Sequence, residues 1–252
     1  MKVVFLAAGL SNRLRPMTEN IPKCLIKIGG KSILDWALES FERFGLKEAV
    51  IVTGHGAKEI QRNLNSKPYK VSVRCVFNPE YAKKNNIYSL WYVKQEFENG
   101  FILFNSDVFC DPQIVRKVVN ADHSDLLVID DTKCLAREEM KVKVEAGIIK
   151  NISKEINPED ADGEYIGIAR FSGQGSAMLS RILDEFVTKG KTTLFYEAAF
   201  QKMAHFFNIF KLSTQNLPWV EIDDYEDLKK ARDWVLPEIL KRSKLGTSIK
   251  NY

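Results

Sequence analysis

The chain has 252 residues, 45% hydrophobic and 28% charged, an ordinary globular balance that excludes disordered and fibrous classes. Its formal charge of +4 is too small to imply nucleic-acid or membrane-surface binding by itself. The charge is unevenly placed: Lys2, Arg13, Arg15, Lys23, Lys27 and Lys31 stand against Glu19 alone over residues 1–31, and Lys241, Arg242, Lys244 and Lys250 stand without an acid over 241–252.

Short apolar runs alternate with amphipathic stretches along the first half. Val3–Ala7 reads as a buried strand. Ser32 is placed to cap a helix carrying Leu34, Ala37, Leu38, Phe41 and Phe44, ended by Gly45. Ala49–Thr53 is the next strand, followed by a helix around Lys58–Leu64 and a strand over Val71–Phe77. Ile87–Phe97 reads as a helix and Phe101–Asn105 as a fourth strand. Pro112 suits the first position of a helix to Val119, and Leu126–Ile129 makes a fifth strand.

The second half changes rhythm. Met140–Val144 and Ile148–Ile152 flank Glu145-Ala146-Gly147 as a hairpin, and Tyr165–Phe171 follows as a strand. Leu179, Ile182, Leu183, Phe186 and Val187 mark an amphipathic helix, and a last helix is predicted over Tyr225–Leu240. The fold class is therefore α/β: an open, doubly wound, Rossmann-like mixed sheet with an added hairpin and helical half. One domain is expected over 1–240, with a nucleotide-binding core to about residue 110, an acceptor-binding half over 111–240, and a basic, frayed tail over 241–252.

Cys24, Cys75, Cys110 and Cys134 are far apart and include no Cys-x-x-Cys pair, so neither a disulfide framework nor a zinc site is expected. His55, His123 and His205 are too few to suggest a His/Cys metal centre. The start imitates a signal peptide, but Ser11-Asn12-Arg13-Leu14-Arg15 puts cations where a cleavage site should be. No stretch approaches the roughly 18–20 apolar residues of a membrane span. The expectation is a reduced, cytoplasmic protein without membrane insertion.

The first strand runs into Ala7-Ala8-Gly9-Leu10-Ser11-Asn12-Arg13-Leu14-Arg15-Pro16-Met17-Thr18, then Pro22-Lys23-Cys24-Leu25. Small residues let backbone N–H groups approach phosphates closely, Arg13 offers a planar fork, and Lys23 a point charge. An isolated turn of this kind is more often a plain strand-to-loop connection.

The whole segment, however, resembles the signature of the sugar-nucleotidyltransferase superfamily, A-A-G-x-G-[ST]-R-[LM]-x-P-[LM]-T followed by P-K-x-[LM]. Ser11 and Asn12 depart from it, replacing a glycine and a Ser or Thr; serine tolerates positive φ worse than glycine, so a re-routed loop is expected. Asn78-Pro79 and Asn85-Asn86-Ile87-Tyr88-Ser89-Leu90-Trp91 resemble the cytidylyl branch of that superfamily, closest to phosphocholine cytidylyltransferase-like members. The resemblance implies nucleotide binding by Leu6, Ala7, Ala8, Gly9, Ser11, Asn12, Asn78, Asn85, Asn86 and Ser89, with Arg13, Lys23 and Asp107 catalytic.

Asp107, just past the strand Phe101–Asn105, is well placed to hold Mg²⁺ against phosphates. Its competing reading as a helix cap is met by Asp111. Glu221 and Asp223 share a side by strand alternation, and the resemblance puts Asp223, with Glu221, beside Asp107 as a magnesium clamp. Asp224 reads as the N-cap of the last helix, with Asp227 in its first turn. The reaction implied is transfer of CMP from CTP to a small phosphorylated or phosphonylated alcohol. The attacking phosphate is already mostly dianionic, with a second pKa of about 6, so no general base is needed.

On the acceptor side the resemblance implies Lys154 and Glu164, with Trp219 beside the acidic segment. Lys141 reads equally as a second acceptor cation or as a solvent-facing hairpin residue. Tyr196 and Glu197 sit where choline-type members carry aromatic and acidic residues around a quaternary ammonium. The competing reading of that segment is a helix burying Phe195, Ala199 and Phe206. His55 after Thr53-Gly54 is either nucleotide-lining or incidental.

Rival functions are a sugar-1-phosphate or inositol-phosphate nucleotidyltransferase and a catalytically silent nucleotide-sensing homologue. A metal-dependent glycosyltransferase should show an Asp-x-Asp at the strand end, and Ser106-Asp107-Val108-Phe109 does not. The partners expected are CTP and a small phosphorylated acceptor, with no nucleic acid; an oligomer is open.

Overall fold

The apolar runs become buried strands, seen over residues 1–248 of a computed structural model. In chain order the strands are β1 (Lys2–Ala7), β2 (Lys27–Ile28), β3 (Lys31–Ser32), β4 (Glu48–Thr53), β5 (Ser72–Phe77), β6 (Phe101–Asn105), β7 (Val108–Cys110), β8 (Leu126–Asp130), β9 (Lys141–Glu145), β10 (Ile148–Ser153), β11 (Gly163–Phe171), β12 (Phe210–Ser213) and β13 (Trp219–Glu221). The helices are α1 (Ile33–Arg43), α2 (Ala57–Asn65), α3 (Asn86–Tyr92), α4 (Pro112–Val119), α5 (Gly173–Thr188), α6 (Glu197–Ala204), α7 (Tyr225–Lys230) and α8 (Leu236–Ser248).

Nine strands form one mixed sheet in the order β5-β4-β1-β6-β11-β8-β12-β10-β9. Its parallel half is doubly wound as expected, with β1 between β4 and β6. The chain's direction of winding therefore reverses beside β1, where such sheets leave a crevice at the carboxyl ends of the strands. Strand β11 joins antiparallel to β6. The predicted hairpin is β9–β10, and β9 also pairs with β11, so the far end of the sheet curls back on itself.

Local chemistry explains the helix starts. Ser32 and Asp35 form a reciprocal capping box on α1 (3.1 and 2.9 Å). Asp111 caps α4 by accepting from the Gln113 amide, with Pro112 first in the helix. Asp224 and Asp227 do the same for α7. One apolar cluster lies under α3, α5 and α6, and a second under α1 and α4. A third joins Leu14 of the first loop to Phe109, Val220 and Ile222 around the β7–β13 ribbon, and to Leu228 and Val235 of the last helix.

Three expectations change. The helix read through Phe97 ends at Tyr92, where Val93 (φ −113°) leaves the α region, as a β-branched residue readily does, and a 3₁₀ turn follows over Lys94–Phe97. The last helix is α7 and α8 joined by a π-helical stretch over Ala231–Val235. Pro237 has no amide to give the Asp233 carbonyl and would crowd it, and the wider turn accommodates both. Residues 241–248 of the tail expected to fray continue α8, and 249–252 lie outside the described residues. No helix among the described residues is long and apolar enough to cross a membrane.

Candidate active site

The crevice beside β1 opens into a cleft of about 1180 Å³. Leu6, Ala7, Ala8 and Gly9 form its floor at the end of β1, and Ser11, Asn12 and Arg13 its rim. A Cβ at Gly9 would meet nothing within 4 Å, so the backbone there faces open cleft. Ser11 itself takes the left-handed conformation (φ 53°, ψ 42°) that the missing glycine would favour, rather than steering the loop around it. Buried Thr18 fixes the turn by donating to the Ser11 carbonyl (2.7 Å), and buried Leu14 anchors it below. Arg13 between them stays exposed, its guanidinium 2.7 Å from Asp223.

Lys23 reaches the same point from below. Pro22 precedes it and packs on Gly56, whose φ of +64° and lack of a Cβ permit the approach; a Cβ there would lie 2.4 Å from Pro22 Cδ. Lys23 Nζ donates to Asp107 Oδ2 (3.0 Å) and Asp223 Oδ1 (2.8 Å). Burial opposes its charge, but the two carboxylates outweigh burial and hold its pKa above the ordinary lysine value.

Pairing of β7 with β13 sets Val108 opposite Glu221, and the Ile222 amide donates to the Asp107 carbonyl (3.0 Å). Glu221 and Asp223, 114 and 116 positions beyond Asp107 in sequence, thus meet it: one oxygen each of Asp107, Glu221 and Asp223 lies within 4.8 Å of the others. Burial raises the Asp223 carboxyl, but Lys23 and Arg13 bring it below its usual value. Burial, then Asp107 and Asp223, push Glu221 well above the carboxylate range. Asp107 Oδ1 is buried without a hydrogen-bond partner. An orphaned oxygen within a set of three hard oxygen donors fits a divalent cation.

Asn85, Asn86 and Ser89 line the cleft at the start of α3. Asn78 does not: it is fully buried, donating to Ser89 Oγ and accepting from the Glu80 amide. Sequence spacing cannot separate a residue that lines a site from one that props up its lining. His55 turns away too, its Nε2 2.9 Å from the Thr18 carbonyl.

Lys154, Glu164, Glu197 and Trp219 line the other end of the cleft. Two expected acceptor residues do not. Lys141 is fully buried, its ammonium held by the carbonyls of Ala136, Arg137 and Glu139, so it is neither solvent-facing nor in the cleft. Tyr196 is fully buried beneath the site, donating to Asn105 Oδ1 (3.0 Å) and meeting the Tyr165 hydroxyl. Helix α6 buries Ala199, Phe200 and Met203 behind its buried N-cap residue Tyr196, whereas Phe195 and Phe206 are exposed. Phe195 instead lines the cleft with the Lys154 ammonium over its ring at 5.4 Å.

The sequence reading missed Lys133, Glu139 and Asp130, which also line the cleft. Lys133 bridges Glu139 and Glu164 (2.5 and 2.6 Å). Both Lys133 and Glu139 sit in the irregular segment between β8 and β9, where no period marks a facing side. Burial pushes the carboxyls of Glu164 and Glu197 up to about 7.

A doubly wound sheet with a cationic loop and a carboxylate cluster at its switch point defines a nucleotide-handling α/β enzyme. Residues 2–138 match the family model described as nucleotidyl transferase, and the chain belongs to that family. It is an enzyme of nucleotidyl transfer. Over 103 residues it is 39% identical to a choline-phosphate cytidylyltransferase of Streptococcus pneumoniae, a match spanning 41% of this chain and 43% of that protein. It is 25% identical over 255 residues to a CTP:phosphoglutamine cytidylyltransferase of Campylobacter jejuni, covering 91% of this chain and 98% of that one. A solved CTP:phosphocholine cytidylyltransferase from Streptococcus pneumoniae superposes with a TM-score of 0.78 at 25% identity, over 92% of this chain and 97% of the other.

Proposed function

We propose that the chain transfers CMP from CTP to a small phosphorylated or phosphonylated alcohol with a cationic head, of the phosphocholine type, and releases pyrophosphate. One observation carries this reading: a single cleft joins the phosphate-facing loop and carboxylate cluster to an end lined by Trp219, Phe195, Glu164 and Glu197. Aromatic faces with carboxylates suit an ammonium group. The relatives named above, which use CTP by name, support the choice of base.

An acceptor phosphate oxygen attacks the α-phosphorus as the bond to the β-phosphate breaks, and the leaving pyrophosphate carries the electron pair. Arg13 and Lys23 hold the β- and γ-oxygens in line, and no side chain moves a proton. Asp107, Glu221 and Asp223 would hold Mg²⁺, which when bound neutralises phosphate charge. Gly9 and the backbone from Leu6 to Asn12 cradle the nucleotide with Asn85, Asn86 and Ser89, and Lys154 meets the acceptor phosphate. In this reading residues 1–110 form the nucleotide half and 111–240 the acceptor half, and the free cysteines suit a reducing cytoplasm.

Lys23→Ala and Asp107→Ala are each expected to abolish pyrophosphate release while the protein stays folded by circular dichroism. Near-normal turnover in either variant contradicts the assignment. Chelation with EDTA should silence the wild type, and added Mg²⁺ should restore it.

A further inference from the structure

Lys133 occupies an unusual seat. Its ammonium lies 2.5 Å from Glu139 Oε1, 2.6 Å from Glu164 Oε2 and 5.6 Å from the centroid of the Trp219 ring. The indole is fixed from behind, its Nε1 donating to Asp130 Oδ2 (2.8 Å), and Asp130 in turn accepts from the Thr132 amide and hydroxyl. An aromatic face with two carboxylates is the chemistry that recognises an ammonium ion, and here the chain's own ammonium fills it. A second buried carboxyl lines the same cleft. Glu197, 7% exposed, has a buried Oε2 with no hydrogen-bond partner.

We propose that Lys133 is a specificity-determining residue, a tethered cation held in the seat that receives the acceptor's cationic head, so that a cationic acceptor binds by displacing it. This rests on the cytidylyltransferase reading above. Lys133 can leave: its side chain is 32% exposed, its stem is flexible, and it belongs to a segment outside helix and strand. A cationic head replaces it charge for charge. A neutral head that displaced it would strand two carboxylates, so neutral acceptors leave it in place. Charge selection follows, and the cost is weaker apparent affinity for the favoured class, because only the fraction of molecules with Lys133 turned out is competent.

Lys133→Met is compared with wild type in steady-state pyrophosphate release with CTP, using phosphocholine and, as a neutral head, 2-hydroxyethyl phosphate. Assays run as a pH series upward from about pH 8.5, because Lys133 holds the Glu164 carboxyl down and its loss raises that carboxyl further above the value near 7. The KM for phosphocholine is expected to fall about tenfold, with the KM for CTP and for 2-hydroxyethyl phosphate unchanged. Lys133→Arg, which keeps the charge, should retain the wild-type KM. An unchanged KM for phosphocholine, a rise for both acceptors together (a lysine gripping the phosphate), or the same fall in Lys133→Arg overturns the proposal. Calorimetric titration with choline chloride reads the seat without turnover. Tighter binding by Lys133→Met supports the proposal and equal or weaker binding contradicts it. Absence of turnover with every nucleotide would instead count against the cytidylyltransferase reading alone.

Discussion

At the scale of single residues, Ser11 and Asp35 show how local chemistry sets the site's frame. Ser11 sits at φ 53° and its side chain makes no capping bond, so glycine there relieves strain without losing a cap. Ser11→Gly is expected to stabilise the protein by about 0.5–1 kcal/mol, read as a rise of about 2 °C in Tm. Asp35 is 3% exposed and accepts from the Ser32 amide, Asn63, Lys67 and Tyr69. Burial alone would raise its pKa, but these donors, Lys67 first, bring it well below the usual value. A depressed carboxyl stabilises the fold above its unfolded pKa of about 3.9, and that stability is lost as the pH falls towards the folded value. Asp35→Asn should cost roughly 2 kcal/mol in urea titrations at neutral pH, with the difference from wild type shrinking in acid. Lys23 and Asp107 were legible because the loop through Lys23 is contiguous and Asp107 follows a clear strand. Lys141 and Tyr196 were misread because alternation and proximity do not tell which end of a long side chain finds carbonyls or a buried hydroxyl.

At the scale of elements, the site depends on two close approaches. The first is α2 against the Pro22–Lys23 turn at Gly56. Gly56→Ala puts a Cβ where Pro22 stands and also strains a positive φ. Lys23 should be displaced, lowering kcat/KM about 100-fold, the scale of an ångström-sized misplacement, with a Tm loss of only a few degrees. Equal kcat/KM in wild type and variant would show that the turn tolerates movement. The second is the β7–β13 ribbon, which brings Asp107 to Glu221 and Asp223. Main elements were readable from period and caps: Ser32, Asp111 and Asp224 all cap where expected. The two-stranded ribbons and β12 were not, because two to four residues carry no period and their pairing is made by distant parts of the chain.

At the scale of the molecule, the uneven charge divides by role. Arg13 and Lys23 lie against acids of the cleft, whereas Lys2 pairs with Glu96 and Lys31 with Glu39. The parallel half of the sheet supplies the loop, the curled half supplies Glu164, and the third apolar cluster ties the first loop to the β7–β13 ribbon and the last helix. Emptying that cluster by Phe109→Ala should cost about 3–5 kcal/mol in urea titrations and loosen the β7–β13 ribbon that carries the carboxylates as well. The central claim is the pairing of one nucleotide with one class of acceptor. Its most direct test is pyrophosphate release measured across CTP, UTP, GTP and ATP against phosphocholine, 2-aminoethylphosphonate, inositol phosphate and glucose-1-phosphate. Turnover with CTP and a cationic acceptor, at least about tenfold above every other pair, is the expected result. Turnover confined to a hexose or inositol phosphate, or to another nucleotide, would contradict it.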